Sequence, residues 1–181
     1  MNLARNEIPL ADRERLPPPD FWTRFKLRRA LSSLAKVIQL APDNYSANWF
    51  AGKIHQRFGE HRDALRFFRR AAEINPTQAD VLREASISAT DAGETDDAVT
   101  FARRAVEIER DNPGLRANLA LTLLLAGRVD EAANEIYVAE IAEAPDTITA
   151  TVAKLIKHYQ KSGEQPPRTL SELKKVSVRL K

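Results

Sequence analysis

The sequence predicts an all-α fold, a solenoid of stacked antiparallel helix pairs, and two observations carry that prediction. The first is a period. Gly59 to Pro76 reads G-E-H-R-D-A-L-R-F-F-R-R-A-A-E-I-N-P, and 34 residues later Gly93 to Arg110 reads G-E-T-D-D-A-V-T-F-A-R-R-A-V-E-I-E-R. Another 34 residues bring G-R-V-D-E-A-A-N-E-I-Y-V-A-E-I-A-E-A, from Gly127 to Ala144. Moving 34 residues backward loses the glycine but keeps Ala30, Leu34, Val37, Leu40 and Pro42 in register. The second is the spacing within each copy: Ala64, Phe68, Ala71 and Ile74 fall three and four apart, one face of a helix that a glycine opens and a proline closes. A fixed period of this length means one supersecondary unit per repeat, each too small to bury its apolar face without neighbours.

Taken in order, residues 1–19 read as an extended or disordered lead ending in Leu16-Pro17-Pro18-Pro19, since a proline run cannot lie inside a helix. Residues 20–44 form a capping helix, with Asp20 as N-cap and Leu27, Leu31, Leu34, Val37, Ile38 and Ala41 at helical spacing. By register this is a second helix whose own first helix the prolines forbid. Residues 45–78 are the first full pair, the first helix broken at Gly59. Residues 79–112 are the second, turning at Gly93, and residues 113–146 the third, with Pro113 near a helix start, where its missing N–H does no harm. Residues 147–181 are a degenerate repeat and cap. Thr149 to Lys161 reads as a first helix, Gly163 comes two residues late, and Thr169 and Glu172 have capping-box spacing before a last short helix. Leu170, Leu173, Val176 and Leu180 would dock that helix on the end of the stack. With these caps, residues 20–181 make a single domain.

Apolar residues at 43% with 29% charged place the chain among folded globular proteins. It has no cysteine, so disulfides and thiolate metal sites are excluded. No apolar run approaches the roughly 18 residues that span a bilayer, and the first residues lack the apolar core of a secretory signal, so the expected address is the cytoplasm. The net charge of +3 conceals a division: residues 1–78 hold 14 basic against 8 acidic residues, residues 79–146 hold 6 against 15, and residues 147–181 hold 8 against 2. Two basic ends around an acidic middle do not make a continuous phosphate-tracking stripe, which counts against nucleic acid as main partner. The same division permits weak self-association.

At this point the chain resembles the tetratricopeptide-repeat family. The resemblance rests on the 34-residue period, Gly52 in the first helix, Gly59 at the turn, Ala64, Phe68 and Ala71 in the second helix, and Pro76 at its end. It covers three repeats from 45 to 146 and looser flanking units. Departures exist: Trp49 stands one residue late with Ala51 after it, repeat two has Ala85-Ser86 and repeat three Leu119-Ala120 at the Leu-Gly position. The closing proline is Arg110 in repeat two and comes late, at Pro145, in repeat three. The displaced Trp49 is expected to point away from the core. The resemblance implies a right-handed superhelix whose first helices line a concave groove for an extended peptide or a partner helix.

Carried onto this chain, that groove is lined by Trp49, Lys53, Gln56 and Arg57, by Asp80, Arg83, Ile87 and Asp91, by Ala117, Leu121, Leu124 and Leu125, and by Lys157 and Lys161. Leu115, Leu119 and Leu123 face the core, so the Leu121 stripe lies nearly opposite. A helix apolar on both sides must bury both, either under the chain's own C-terminal segment or under a partner. Some family members clamp a C-terminal carboxylate with Lys, Asn and Arg; Lys53 and Arg57 supply charge, but the asparagine is absent and Asp80 and Glu84 intrude. Others use an asparagine ladder, matched here only by Asn118, with Phe50 and Glu84 at the equivalent places. The stretch from Phe21 to Arg29 interleaves three aromatics with four basic residues, a pattern suited to a membrane surface or single-stranded nucleic acid; the favoured expectation is that Phe21, Trp22 and Phe25 cover the first repeat. Arg69-Arg70 and Arg103-Arg104 are expected on a solvated outer face.

No catalytic constellation emerges. His55 and His61 lack the spacing of a helical metal pair, and Asp96-Asp97 and Asp130-Glu131 sit where helix starts favour negative charge. No phosphate loop or nucleophile elbow is present. The reading is therefore a non-catalytic adaptor or scaffold that binds another protein or peptide, with no cofactor and no metal. The alternatives are a small chaperone-like carrier of a secreted or assembling partner, or a binder of anionic surfaces or nucleic acid through its basic ends.

Overall fold

The computed structural model describes residues 19–142 and 147–179. Among these there are nine helices and no strand: α1 (Phe21–Leu40), α2 (Tyr45–Arg57), α3 (His61–Ile74), α4 (Ala79–Ala92), α5 (Thr95–Ile108), α6 (Pro113–Leu125), α7 (Val129–Ala142), α8 (Thr147–Ser162) and α9 (Leu170–Arg179). Residues 1–18 of the expected lead at 1–19, and the positions of Pro145 and Leu180, lie outside the described residues.

Local chemistry sets the helix ends. Asp20, Asn44 and Asn112 accept hydrogen bonds from the backbone N–H of Thr23, Ala47 and Leu115 at 2.7, 2.9 and 3.2 Å, satisfying one orphan donor at each start. Pro113 is the first residue of α6. At the turns, Gly59, Gly93 and Gly127 adopt φ of +73°, +79° and +77°. The next residue's N–H then reaches back five residues, from Glu60 to His55 O, from Glu94 to Ala89 O and from Arg128 to Leu123 O, at 2.8 to 2.9 Å. This is the left-handed helix stop that glycine alone makes without strain, repeated at the period of the sequence. The α9 start also follows the sequence: Thr169 Oγ1 accepts from Glu172 N at 3.4 Å and donates to Glu172 Oε2 at 2.9 Å.

Each helix packs against the next, and α4 touches α6 while α6 touches α8. The first helices of successive pairs are thus neighbours and form the inner layer, with α3, α5 and α7 outside. The core runs continuously from Ala64, Leu65 and Phe68 through Val81, Leu82 and Ala85 to Leu119, Leu123, Ile136, Val152 and Ile156. One contact sets the spacing of the first pair. A Cβ on Gly52 would lie 2.7 to 2.9 Å from the ring of Phe68, so the aromatic ring rests against bare backbone.

Two expectations need correction. Phe21, Trp22 and Phe25 do not cover the first repeat; they are 74%, 69% and 50% exposed. The reason is helix length. α3 moved back by the 34-residue period would span 27–40, whereas α1 begins six residues earlier, and the aromatics lie on that overhang beyond the body of the stack. Trp49, expected to point away, instead packs on the core, its ring 5.4 Å from that of Phe68 and stacked at 6.5 Å on Tyr45.

The expected solvated arginines are half-exposed, and Arg69, Arg70 and Arg103 tie one unit to the next. Arg69 bonds Glu94 at 2.7 Å and also Asp97, and Arg103 bonds Glu131 at 2.6 Å. Arg70 reaches Asp43 and Glu73.

Gly52→Ala tests the packing account. Helix propensity alone favours alanine by about 1 kcal/mol. The clash with Phe68 is expected to reverse the sign and lower unfolding stability by about 1–3 kcal/mol. Chemical denaturation should also show Phe68→Leu recovering part of that loss in the double variant.

Candidate functional site

The inner face begins on α2. Phe50, at 56% exposure, is the large apolar side chain this helix leaves uncovered. One residue before it, Trp49 lies half-buried between Tyr45, Phe68 and Lys53, whose Nζ sits 5.8 Å from the indole ring. Lys53 then reaches across to α4, 3.1 Å from Glu84 Oε2.

Glu84 is the centre of the polar part of this face. It is 7% exposed, and its two oxygens are surrounded: Gln56 Nε2 donates to Oε2 at 2.9 Å and to Ser88 Oγ at 3.3 Å, while Arg83 approaches Oε1 at 3.3 Å and Asp80 Oδ1 at 3.4 Å. Burial by itself pushes the Glu84 carboxyl up, but the charges of Lys53 and Arg83 and the Gln56 hydrogen bond outweigh it. The net result is a pKa below the ordinary glutamate value. Further along, Asn118 on α6 donates to Ser86 Oγ on α4 at 3.2 Å in a buried position. Polar links therefore step from α2 to α4 and from α4 to α6.

The structure brings Lys53, Gln56 and Arg83 of the expected groove together around Glu84, with Trp49 beside Lys53 and Ile87 half-buried on the helix of Glu84. Arg57 at the end of α2 is also half-buried. Ala117, Leu121, Leu124 and Leu125 do not join them as an open surface. They are 3%, 5%, 0% and 2% exposed. The second apolar stripe of α6 is covered by the chain itself: α8 packs on α6, and its Val152, Ile156 and Tyr159 belong to the same cluster. The segment after α8 returns to the turns, Gln165 standing beside Gly127 and Arg168 lining a cleft with Leu125, Ala126 and residues 93–97. On α8, Lys157 is exposed, 3.7 Å from Glu140, and Lys161 is exposed near the helix end.

Sequence reasoning missed Phe50 and the role of Glu84. Register had aligned both with Asn118, but only as failures of an asparagine ladder. The available signal was an aromatic at an inner-layer position, next to a tryptophan.

Among the described residues, one set of three potential metal ligands comes together: His55, Glu60 and Asp63, with ligand atoms within 4.8 Å. Glu60 is already occupied. Its carboxylate meets His55 Nδ1 at 2.6 Å and Arg28 at 2.8 Å, and these contacts lower its pKa against the opposing effect of burial. The Arg28 guanidinium supplies the positive charge there.

Two family models, both of the tetratricopeptide repeat, match residues 19–79 and 89–146. No curated protein matches the sequence. Among solved structures the chain is similar to YrrB, a TPR protein with an unusual peptide-binding site, at 18% identity and a TM-score of 0.68, covering 86% of this chain and 78% of YrrB. It is similar to MamA at 17% identity and a TM-score of 0.69, covering 88% of this chain and 91% of MamA. Likeness at these identities speaks for the fold.

Glu84 makes the site's stability pH-dependent. A carboxyl whose pKa is lower in the folded state stabilises that state above its unfolded pKa and loses the contribution as pH falls through the folded one. Glu84→Gln is therefore expected to lower stability by about 1–3 kcal/mol near neutral pH. The gap from the parent chain should narrow as pH drops below the ordinary glutamate value of 4.5, measured by denaturation at a series of pH values.

Proposed function

The chain belongs to the tetratricopeptide-repeat family, and from that premise we propose that it is a non-catalytic protein–protein interaction module, an adaptor or scaffold, with the cytoplasm as its expected address. Its partner is an extended peptide or a helix held on the inner face of α2 and α4. The observation that carries this reading is Phe50. An aromatic residue left 56% exposed on the inner layer, beside a Trp49 already fixed by packing, is the kind of anchor from which binding faces draw most of their energy. Around it, Lys53 and Arg83 are held in place by Glu84, so their donors are oriented before a ligand arrives. An apolar side chain against Phe50 and Trp49, with backbone carbonyls or a carboxylate toward Lys53 and Arg83, suits this arrangement. That YrrB, of like fold, is a TPR protein with a peptide-binding site agrees with the proposal.

The burial of Ala117, Leu121, Leu124 and Leu125 confines the proposed groove to its N-terminal half, with Trp49, Lys53, Gln56, Arg57, Arg83 and Ile87 as its lining. Lys157 and Lys161 remain exposed on α8 and are not needed for it. No described helix is long and apolar enough to cross a membrane.

Selection of peptides from a random display library against the full chain tests the proposal. Enriched peptides are expected to bind Phe50→Asp and Arg83→Glu at least about tenfold more weakly, the scale of losing one buried anchor or a charge-assisted contact. Circular dichroism should show both variants folded, since neither side chain is buried. Peptides that bind all three proteins equally would move the site off this face.

A further inference from the structure

The overhang of α1 has no part in the inner face, and its composition points to a different kind of ligand. Residues 21–26 read F-W-T-R-F-K, and from residue 21 to residue 42 there are five basic residues and no acidic one. Leu27, Leu31, Leu34 and Ile38 turn toward the stack and are half-buried, and no residue of α1 is fully buried. On the packed side Arg28 is bound to Glu60, and both Arg24 and Arg28 lie over the Phe58 ring, at 5.4 and 4.6 Å. At helical spacing the opposite side carries Trp22, Phe25, Arg29 and Lys36, with Lys26 at its border, and all five are exposed. The outward surface is therefore an aromatic tip with a cationic collar behind it, on a helix about 9 Å longer than the regular repeat would give.

We propose that this overhang docks on an anionic lipid surface, Phe21, Trp22 and Phe25 entering the interface while Lys26, Arg29 and Lys36 meet the headgroups. Charge complementarity selects the occupant. A second copy laid on this face would set Lys26, Arg29 and Lys36 against the same three charges, and like charges at close range oppose that pairing. Single-stranded nucleic acid would need open ring faces along its path, but Phe21 and Trp22 are packed edge to face at 5.4 Å and Arg29 stands over Phe25 at 5.9 Å. Aromatic side chains at the tip of a helix with basic residues around them match the boundary between acyl chains and anionic headgroups. The site is separate from the groove and stands without it.

Co-sedimentation of the full chain with vesicles of phosphatidylcholine alone, or mixed with phosphatidylglycerol, tests the proposal. Binding is expected only to the anionic vesicles, weakening as salt is raised. Trp22→Ser with Phe25→Ser is expected to weaken it by about tenfold or more, from the apolar area withdrawn. Arg29→Glu with Lys36→Glu should abolish the preference for anionic lipid. Phe50→Asp should leave vesicle binding unchanged, which separates this result from that of the groove. These exposed substitutions leave the core intact, as circular dichroism can verify. The proposal is overturned by absence of binding to anionic vesicles, or by binding that survives loss of the aromatics. It is equally overturned if the aromatic variant changes a dimer into a monomer, or if the same substitutions abolish binding of a single-stranded oligonucleotide that is tighter than vesicle binding.

Discussion

Everything in this stack depends on how closely the two helices of a pair approach. In the first pair that distance is set by Phe68 lying on the backbone of Gly52, with no room for a methyl group between them. Moving both positions forward by the 34-residue period gives Ser86 with Ala102, and again Ala120 with Ile136. All four are nearly or wholly inaccessible. Small residues stay on the first helix, while the second helix changes from aromatic to methyl to branched aliphatic. The packing requirement is thus met three different ways. Close-packed interiors tolerate such exchanges only when volume is kept overall, which is why the motif can drift while the period does not.

On this apolar frame lies a thinner electrostatic one. Arg69 meets Asp97 and Arg103 meets Glu131, both pairs 28 residues apart and related to each other by the repeat. Each is an exposed ion pair, and exposed pairs contribute about 0–1 kcal/mol. Their contribution is to angle rather than adhesion: they link the outer helices of adjacent repeats at fixed points. The inner links, Lys53 and Gln56 to Glu84 and Asn118 to Ser86, do the same for the inner layer. Glu84 joins the two roles, since it is both a structural tie and the group that holds Lys53 and Arg83, the cations of the proposed groove, in position.

The fold was legible because its signals are local and repeated. Gly59, Gly93 and Gly127 stop helices by backbone geometry that no distant contact alters, and Asp20 and Thr169 cap by short-range hydrogen bonds. The site was legible only in part, because it depends on what covers what. Sequence spacing puts Leu121, Leu124 and Leu125 on a second apolar stripe. It left open whether a partner or the chain would bury it, and α8 does so. Trp49 was misjudged since a one-residue displacement rotates a side chain away from the core, yet an indole is long enough to reach back to Phe68. For Phe21, Trp22 and Phe25 the assumption was that a cluster of this size must be covered, and an extra turn and a half of helix carries it past the described helices that could cover it.

That same helix has a thermodynamic consequence. A solenoid's stability is close to a sum over units and their nearest-neighbour interfaces, so its ends open independently of its middle. Leu65, Leu82, Leu119 and Ile156 give the interior units side chains wholly removed from water, and α1 has none. Its detachment from α2, which also breaks the Arg28–Glu60 pair, therefore costs less than opening an interior unit, and it leaves the core of the first pair assembled. A load applied at the α1 tip would be absorbed by that single interface, making the helix a mechanical fuse between whatever holds its aromatics and the repeats behind it.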